Sequence, residues 1–119
     1  MSQTSVPQEG TAKSVRGNRR ATVRYRCAPA TIGKVFVDDD QEYQRACIVD
    51  LSVKGVGLLL TRYVESGQFL HIAMKSNDGV RTFEFLAQVA HCDQTPHGEW
   101  IVGCELMVDF TAEDLDQLL

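Results

Sequence analysis

The sequence predicts a mainly β fold: an antiparallel barrel of six or seven strands with a short C-terminal helix. Three observations carry this expectation. Short runs rich in Val, Ile, Phe, Tyr and Thr recur along the 119 residues. Turn-forming residues separate them every eight to twelve positions, the rhythm of an antiparallel barrel or sandwich. The last ten residues then change to helical spacing. Closing the sheet into a barrel also removes exposed strand edges.

Residues 1–18 are rich in Ser, Thr, Gln, Gly and charge and lack apolar periodicity, so they read as a flexible polar tail. The domain is expected over residues 19–119. Residues 16–24 carry too few apolar side chains for an independent helix and read as a loop entering the sheet. Strand-forming runs occupy 25–30 and 31–37, with Pro29 marking an edge or bend. Asp38-Asp39-Asp40-Gln41 is a turn, because aspartate bonds to its own backbone there. Strands follow at 43–51 and, after a turn at Gly55, at 56–61. Glu65-Ser66-Gly67 turns the chain into a strand at 69–75, and Asn77-Asp78-Gly79 is a tight hairpin signal. The runs 81–92 and 99–109, joined through Thr95-Pro96-His97-Gly98, complete the sheet. Thr111-Ala112-Glu113-Asp114 resembles a capping box with acidic groups in the first turn. Phe110, Leu115, Leu118 and Leu119 would give that helix one apolar face for the barrel.

Composition is that of a soluble globular domain, 44% hydrophobic and 24% charged. No apolar run approaches the roughly 20 residues that span a bilayer, and the polar N-terminus MSQTSVPQEG lacks a secretory core. A cytoplasmic protein is expected. Its cysteines, Cys27, Cys47, Cys92 and Cys104, would then stay reduced. His91, Cys92, His97 and Cys104 fall close in sequence, but their spacing fits no common zinc pattern, so no metal is expected. Cys104 sits instead in the alternating series Val102, Cys104, Leu106, Val108, which reads as core.

The net charge of −4 hides a strong asymmetry. Residues 10–37 hold seven basic side chains and no acidic one: Lys13, Arg16, Arg19, Arg20, Arg24, Arg26 and Lys34. Such a segment points to a local anion site, while the acidic remainder would repel a long polyanion.

Two short motifs give that anion site its chemistry. Arg20-Ala21-Thr22-Val23-Arg24 places two guanidinium groups four residues apart, and guanidinium grips phosphate and stacks on planar bases. Asp50-Leu51-Ser52-Val53-Lys54-Gly55 places a carboxylate and a hydroxyl two residues apart, on one side of a strand. A carboxylate accepts from the N–H edge of guanine. The joint demand is for a small ligand carrying phosphates and guanines.

The RxxxR and (D/N)xSxxG pair, in this order and separation, resembles the PilZ family of receptors for the bacterial second messenger cyclic di-GMP. Gly55-Val56-Gly57-Leu58, the run 83–90 and Trp100-Ile101-Val102-Gly103 extend the similarity over roughly 19–119. The resemblance implies that Arg20 and Arg24 hold phosphates and guanines, Asp50 takes a guanine N–H edge, and Ser52 adds a polar contact. Gly55 would permit the turn and close ligand approach. Arg19 is a possible additional contact, favouring two stacked ligand molecules over one. Each residue also has a plainer role: Asp50 and Ser52 ordering a turn, Gly55 turning the chain, the arginines solvated.

No assembled nucleophile and base, phosphate-binding glycine loop or metal pattern points to catalysis. The expected function is a stand-alone cyclic di-GMP receptor or adaptor, with no cofactor. Its arginine arm would order on binding and relay the signal to a protein partner. Two alternatives remain: a barrel that binds single-stranded nucleic acid, and a ligand-free protein-interaction scaffold.

Overall fold

The computed structural model describes residues 23–27, 31–37 and 42–119. The expected tail, Arg19, Arg20, Pro29 and the turn at 38–41 lie outside the described residues. Seven strands and one helix follow in chain order: β1 (Tyr25–Arg26), β2 (Ile32–Val37), β3 (Gln44–Leu51), β4 (Gly55–Leu60), β5 (Phe69–Lys75), β6 (Thr82–Gln94), β7 (Trp100–Leu106) and α1 (Ala112–Leu118). All pairings are antiparallel. The order β3-β2-β5-β6-β7-β4 closes on itself through β3–β4, giving a six-stranded barrel. β1 is an extra strand beside the end of β3, where Tyr25 faces Leu51 and Arg26 faces Asp50.

Alternation sends one face of each strand inward. Val35 and Val37 of β2, Leu70, Ile72 and Met74 of β5, and Val102, Cys104 and Leu106 of β7 meet in one core. Val108 does not join them and is exposed. β7 stops at Leu106, and the chain turns away as Met107 N donates to Leu86 O and Phe110 N to Val53 O (2.9 Å). The expected alternation to 109 therefore breaks after Leu106. β6 runs two residues past its expected end, to Gln94.

Helix α1 starts as the sequence suggests. Asp114 N donates to Thr111 Oγ1 at 3.0 Å, and Thr111 N donates to Asp114 Oδ2 at 2.9 Å, a complete capping box. Phe110, Leu115 and Leu118 are buried, and Phe110 meets Phe85 edge-on at 5.0 Å. Leu119 is exposed rather than part of that face. The 77–79 turn, with Gly79 in the left-handed region (φ 77°), holds the other end of the helix. Asn77 N donates to Gln117 O, and Asn77 Nδ2 donates to Leu119 O. Among the described residues no helix is long and apolar enough to cross a membrane.

Candidate functional site

Strand register brings Arg24 of the first motif to Asp50 of the second, while Arg20 lies outside the described residues. Arg24 lies just before β1, and β1 pairs with the end of β3 that carries Asp50. Arg24 Nη1 donates to Asp50 Oδ1 in a charge-assisted contact, with half of the arginine side chain and a quarter of the aspartate exposed. Arg26, directly across from Asp50, adds a second cation at this edge. The nearby Cys27 thiol is pushed up from its ordinary value, first by burial and then by the Asp50 charge. A negative centre at Asp50 is thus gripped from the arginine side and open to solvent.

Below it, Ser52 is almost fully buried. Ser52 lies one residue beyond β3, so strand alternation alone does not set its side; its Oγ would lie 3.5 Å from a methyl group on Gly55, as Arg24 Nη2 would at 3.6 Å. Its hydroxyl accepts from Gly55 N at 3.0 Å, while Ser52 N donates to Gly55 O at 2.9 Å. The hydroxyl is engaged in holding the β3–β4 turn.

Gly55 is not required by a left-handed backbone, since its φ is not positive. Close approach requires it instead. A methyl group there would lie 2.9 Å from Cys104 O and 3.6 Å from Arg24 Nη2. Backbone of β7 would have to shift to admit it.

Three residues outside the two motifs, Gly57, Gly103 and His91, share this surface. Gly57 is the cross-strand partner of Asp50, and a methyl group on it would lie 2.7 Å from Asp50 Oδ1. The carboxylate therefore rests on the bare backbone of β4. Gly103 pairs with Gly57 and with His91, and the His91 imidazole lies over it so closely that a side chain there would displace the ring. Asp50, Gly57, Gly103 and His91 thus form one continuous row across β3, β4, β7 and β6. At about 4.8 Å per strand spacing the row is about 14 Å long. Both ends follow a register irregularity, one between Ile48 and Asp50 and one between Val89 and His91. Such bulges re-aim side chains next to functional sites. The row curves around the barrel, with the Asp50 carboxylate lying over Gly57 and the His91 imidazole over Gly103, so both glycines are buried beneath polar side chains.

The glycines offered a usable signal. A lone glycine inside an apolar strand marks a close approach of something to the backbone. His91 had none, because nothing in its own segment reveals that it faces Gly103.

Cys104 faces the core, and burial, then Cys92, pushes its thiol up to about 12. Among the described residues no group of three or more His, Cys, Asp or Glu is placed to hold a metal.

The PilZ domain model matches residues 18–119. The chain belongs to the PilZ domain family. This PilZ domain is similar in structure to the Bacillus subtilis inhibitor of motility (MotI/DgrA), with 19% identity and a TM-score of 0.64. That match covers 87% of this chain but 49% of the other, so the chain spans about half of that protein. It is also similar to the PilZ domain of YcgR from Escherichia coli, solved with c-di-GMP. Identity there is 18%, coverage 85% of this chain and 86% of that one, and the TM-score 0.64. At such identities the likeness is one of fold. A comparison with curated protein sequences gave no match.

Proposed function

We propose that this PilZ domain is a cytoplasmic receptor for cyclic di-GMP that binds its ligand without transforming it and relays the signal to a protein partner. The Arg24–Asp50 contact carries the reading, because it joins the arginine motif to the DxSxxG motif in one solvent-facing site. A guanidinium offers a planar row of N–H donors, and so does the N1–H and exocyclic amine edge of guanine. Arg24 therefore occupies on Asp50 the place that a guanine edge would take. The ligand exchanges one planar donor for another, and the carboxylate stays partnered in both states. The released guanidinium turns to a phosphate oxygen, where bidentate charge-assisted bonds form.

The other residues divide the work. Gly57 lets the Asp50 carboxylate lie close against β4, where a guanine edge would meet it, and His91 supplies a face for stacking at the far end. Ser52 acts through the turn it holds. Arg20, and Arg19 beside it, add cations for the second phosphate or for a second stacked ligand molecule. Neutralising these charges ties residues 10–24 to the barrel, a change with a local electrostatic cause. The surface so fixed is what a partner would read. Support for ligand and partner comes from the YcgR domain solved with c-di-GMP and from the motility inhibitor of the same fold.

Calorimetric titration tests the reading. Cyclic di-GMP should bind at micromolar or tighter affinity, and GTP and the linear dinucleotide far more weakly. No heat and no thermal shift with cyclic di-GMP would sink the proposal. Hydrogen exchange tests the arm: residues 16–26 and 50–55 should gain protection with ligand, and equal protection in both states means a preformed arm.

A further inference from the structure

A second surface lies on the outer face of β2, β3, β5 and β6, where a groove of about 860 Å³ opens. None of Arg24, Asp50, Ser52 or Gly55 lines it, so an inference from it stands apart from the nucleotide reading. Register sets its charge. Lys34 and Arg45 are direct cross-strand partners on the exposed face. Like charges placed so are destabilising. Lys75 adds a third cation to the rim. Arg45 and Lys75 have no ion-pair partner among the described residues. The acidic lining residue, Glu84, is engaged by His71 Nε2 at 3.2 Å.

The groove also has an aromatic wall. Phe36 packs against Tyr43 at 5.8 Å and against His71 at 5.9 Å, and Lys34 Nζ sits 4.8 Å above the Tyr43 ring. Ala73, beside Lys34 in the next strand, is small and leaves the floor hollow between the cations and Glu84. Two directly opposed cations cost stability in the free protein, a cost that an anion seated between them would remove. We infer that the groove is a docking site for an acidic peptide segment of a partner protein, carboxylates on Lys34, Arg45 and Lys75 and an aromatic side chain on Phe36 and Tyr43. A polynucleotide fits less well, because Glu84 stands in the wall and the chain as a whole carries −4.

The probe is the fluorescein-labelled peptide DEDFEDE, followed by anisotropy beside its neutral counterpart NQNFQNQ and a labelled oligothymidylate. The acidic peptide should bind saturably and at least about tenfold more tightly than either control, the factor that 1.4 kcal/mol represents. Lys34→Glu with Arg45→Glu should remove that binding and leave cyclic di-GMP titration unchanged. Without ligand, Arg45→Gln should raise the melting temperature by about 1–3 °C, by relief of the opposed charges. An unchanged or lower melting temperature contradicts the charge argument. No saturable binding of the acidic peptide, or binding indifferent to the double reversal, overturns the site. Tighter binding of oligothymidylate assigns the groove to nucleic acid instead. Peptide binding that emerges only when Asp38, Asp39 and Asp40 are all changed to Asn assigns it to the chain's own β2–β3 connection and equally overturns the proposal.

Discussion

Gly57→Ala isolates the link between the position of the Asp50 carboxylate and the ligand. The added methyl group would have Asp50 atoms as its three nearest neighbours, Oδ1 at 2.7 Å, Cγ at 3.1 Å and Oδ2 at 3.2 Å. All belong to a partly exposed side chain, so the carboxylate rather than the backbone moves. The displaced carboxylate loses its contact with Arg24, an exposed pair worth about 0–1 kcal/mol. Alanine in mid-strand recovers roughly 0.5–1 kcal/mol of the conformational entropy that glycine loses. The two nearly cancel, so stability should change by no more than about 1 kcal/mol in urea unfolding. Ligand binding should not be spared. A misplaced carboxylate forfeits a hydrogen bond to a charged group, about 1.5–3 kcal/mol, or roughly ten- to hundredfold in affinity. Calorimetry on the folded variant reads that number directly. Undiminished cyclic di-GMP affinity, or a loss of stability well beyond 1 kcal/mol, would refute the reasoning.

Four further outcomes follow from the same geometry. Asp50→Ala should weaken cyclic di-GMP more than an adenine-containing analogue, as judged by competition titration, and equal losses would give Asp50 a structural role. Ser52→Ala orphans a buried donor at Gly55 and should cost about 1–3 kcal/mol of stability; an unchanged melting temperature with lost affinity would make Ser52 a direct ligand contact. His91→Ala should leave the melting temperature alone and cut affinity about fivefold or more by loss of base stacking, whereas equal affinity would remove His91 from the site. Cys104, raised to about 12 from an ordinary 9.0, keeps its proton in the fold after the unfolded chain has released it. Its contribution is complete below pH 9 and fades between there and about 12, so wild type should lose about 1 kcal/mol more than Cys104→Ala between about pH 8 and about pH 10. Parallel pH profiles in urea unfolding would contradict this.

The fold was legible because alternation and turn chemistry are local. Asn77-Asp78-Gly79 and the Thr111 cap turn the chain where their own side chains dictate. Val108 and Leu119 failed because pattern extends past the point where tertiary contacts end an element, at Leu106 and Leu118. Within the site, Asp50 and Arg24 could be named from spacing and family pattern. Ser52 was named on strand alternation, but it sits one residue beyond β3, and its hydroxyl is held by the turn to Gly55 instead. Gly57, Gly103 and His91 meet only through inter-strand register, shifted by a bulge at each end of the row, and no single segment carries that information. The like-charged Lys34 and Arg45 are hidden in the same way: eleven residues apart in sequence, they are direct neighbours only in the sheet.

The central claim is that Arg24 and Asp50 form one binding site for cyclic di-GMP. The most direct measurement is calorimetric titration of this ligand into wild type, Arg24→Ala, Asp50→Ala and the double variant. Each single change should cost about 1.5–3 kcal/mol, and the double should depart from their sum by at least about 0.5 kcal/mol, as contacting residues do. Wild type without heat of binding, or single variants that bind as wild type does, would contradict the account.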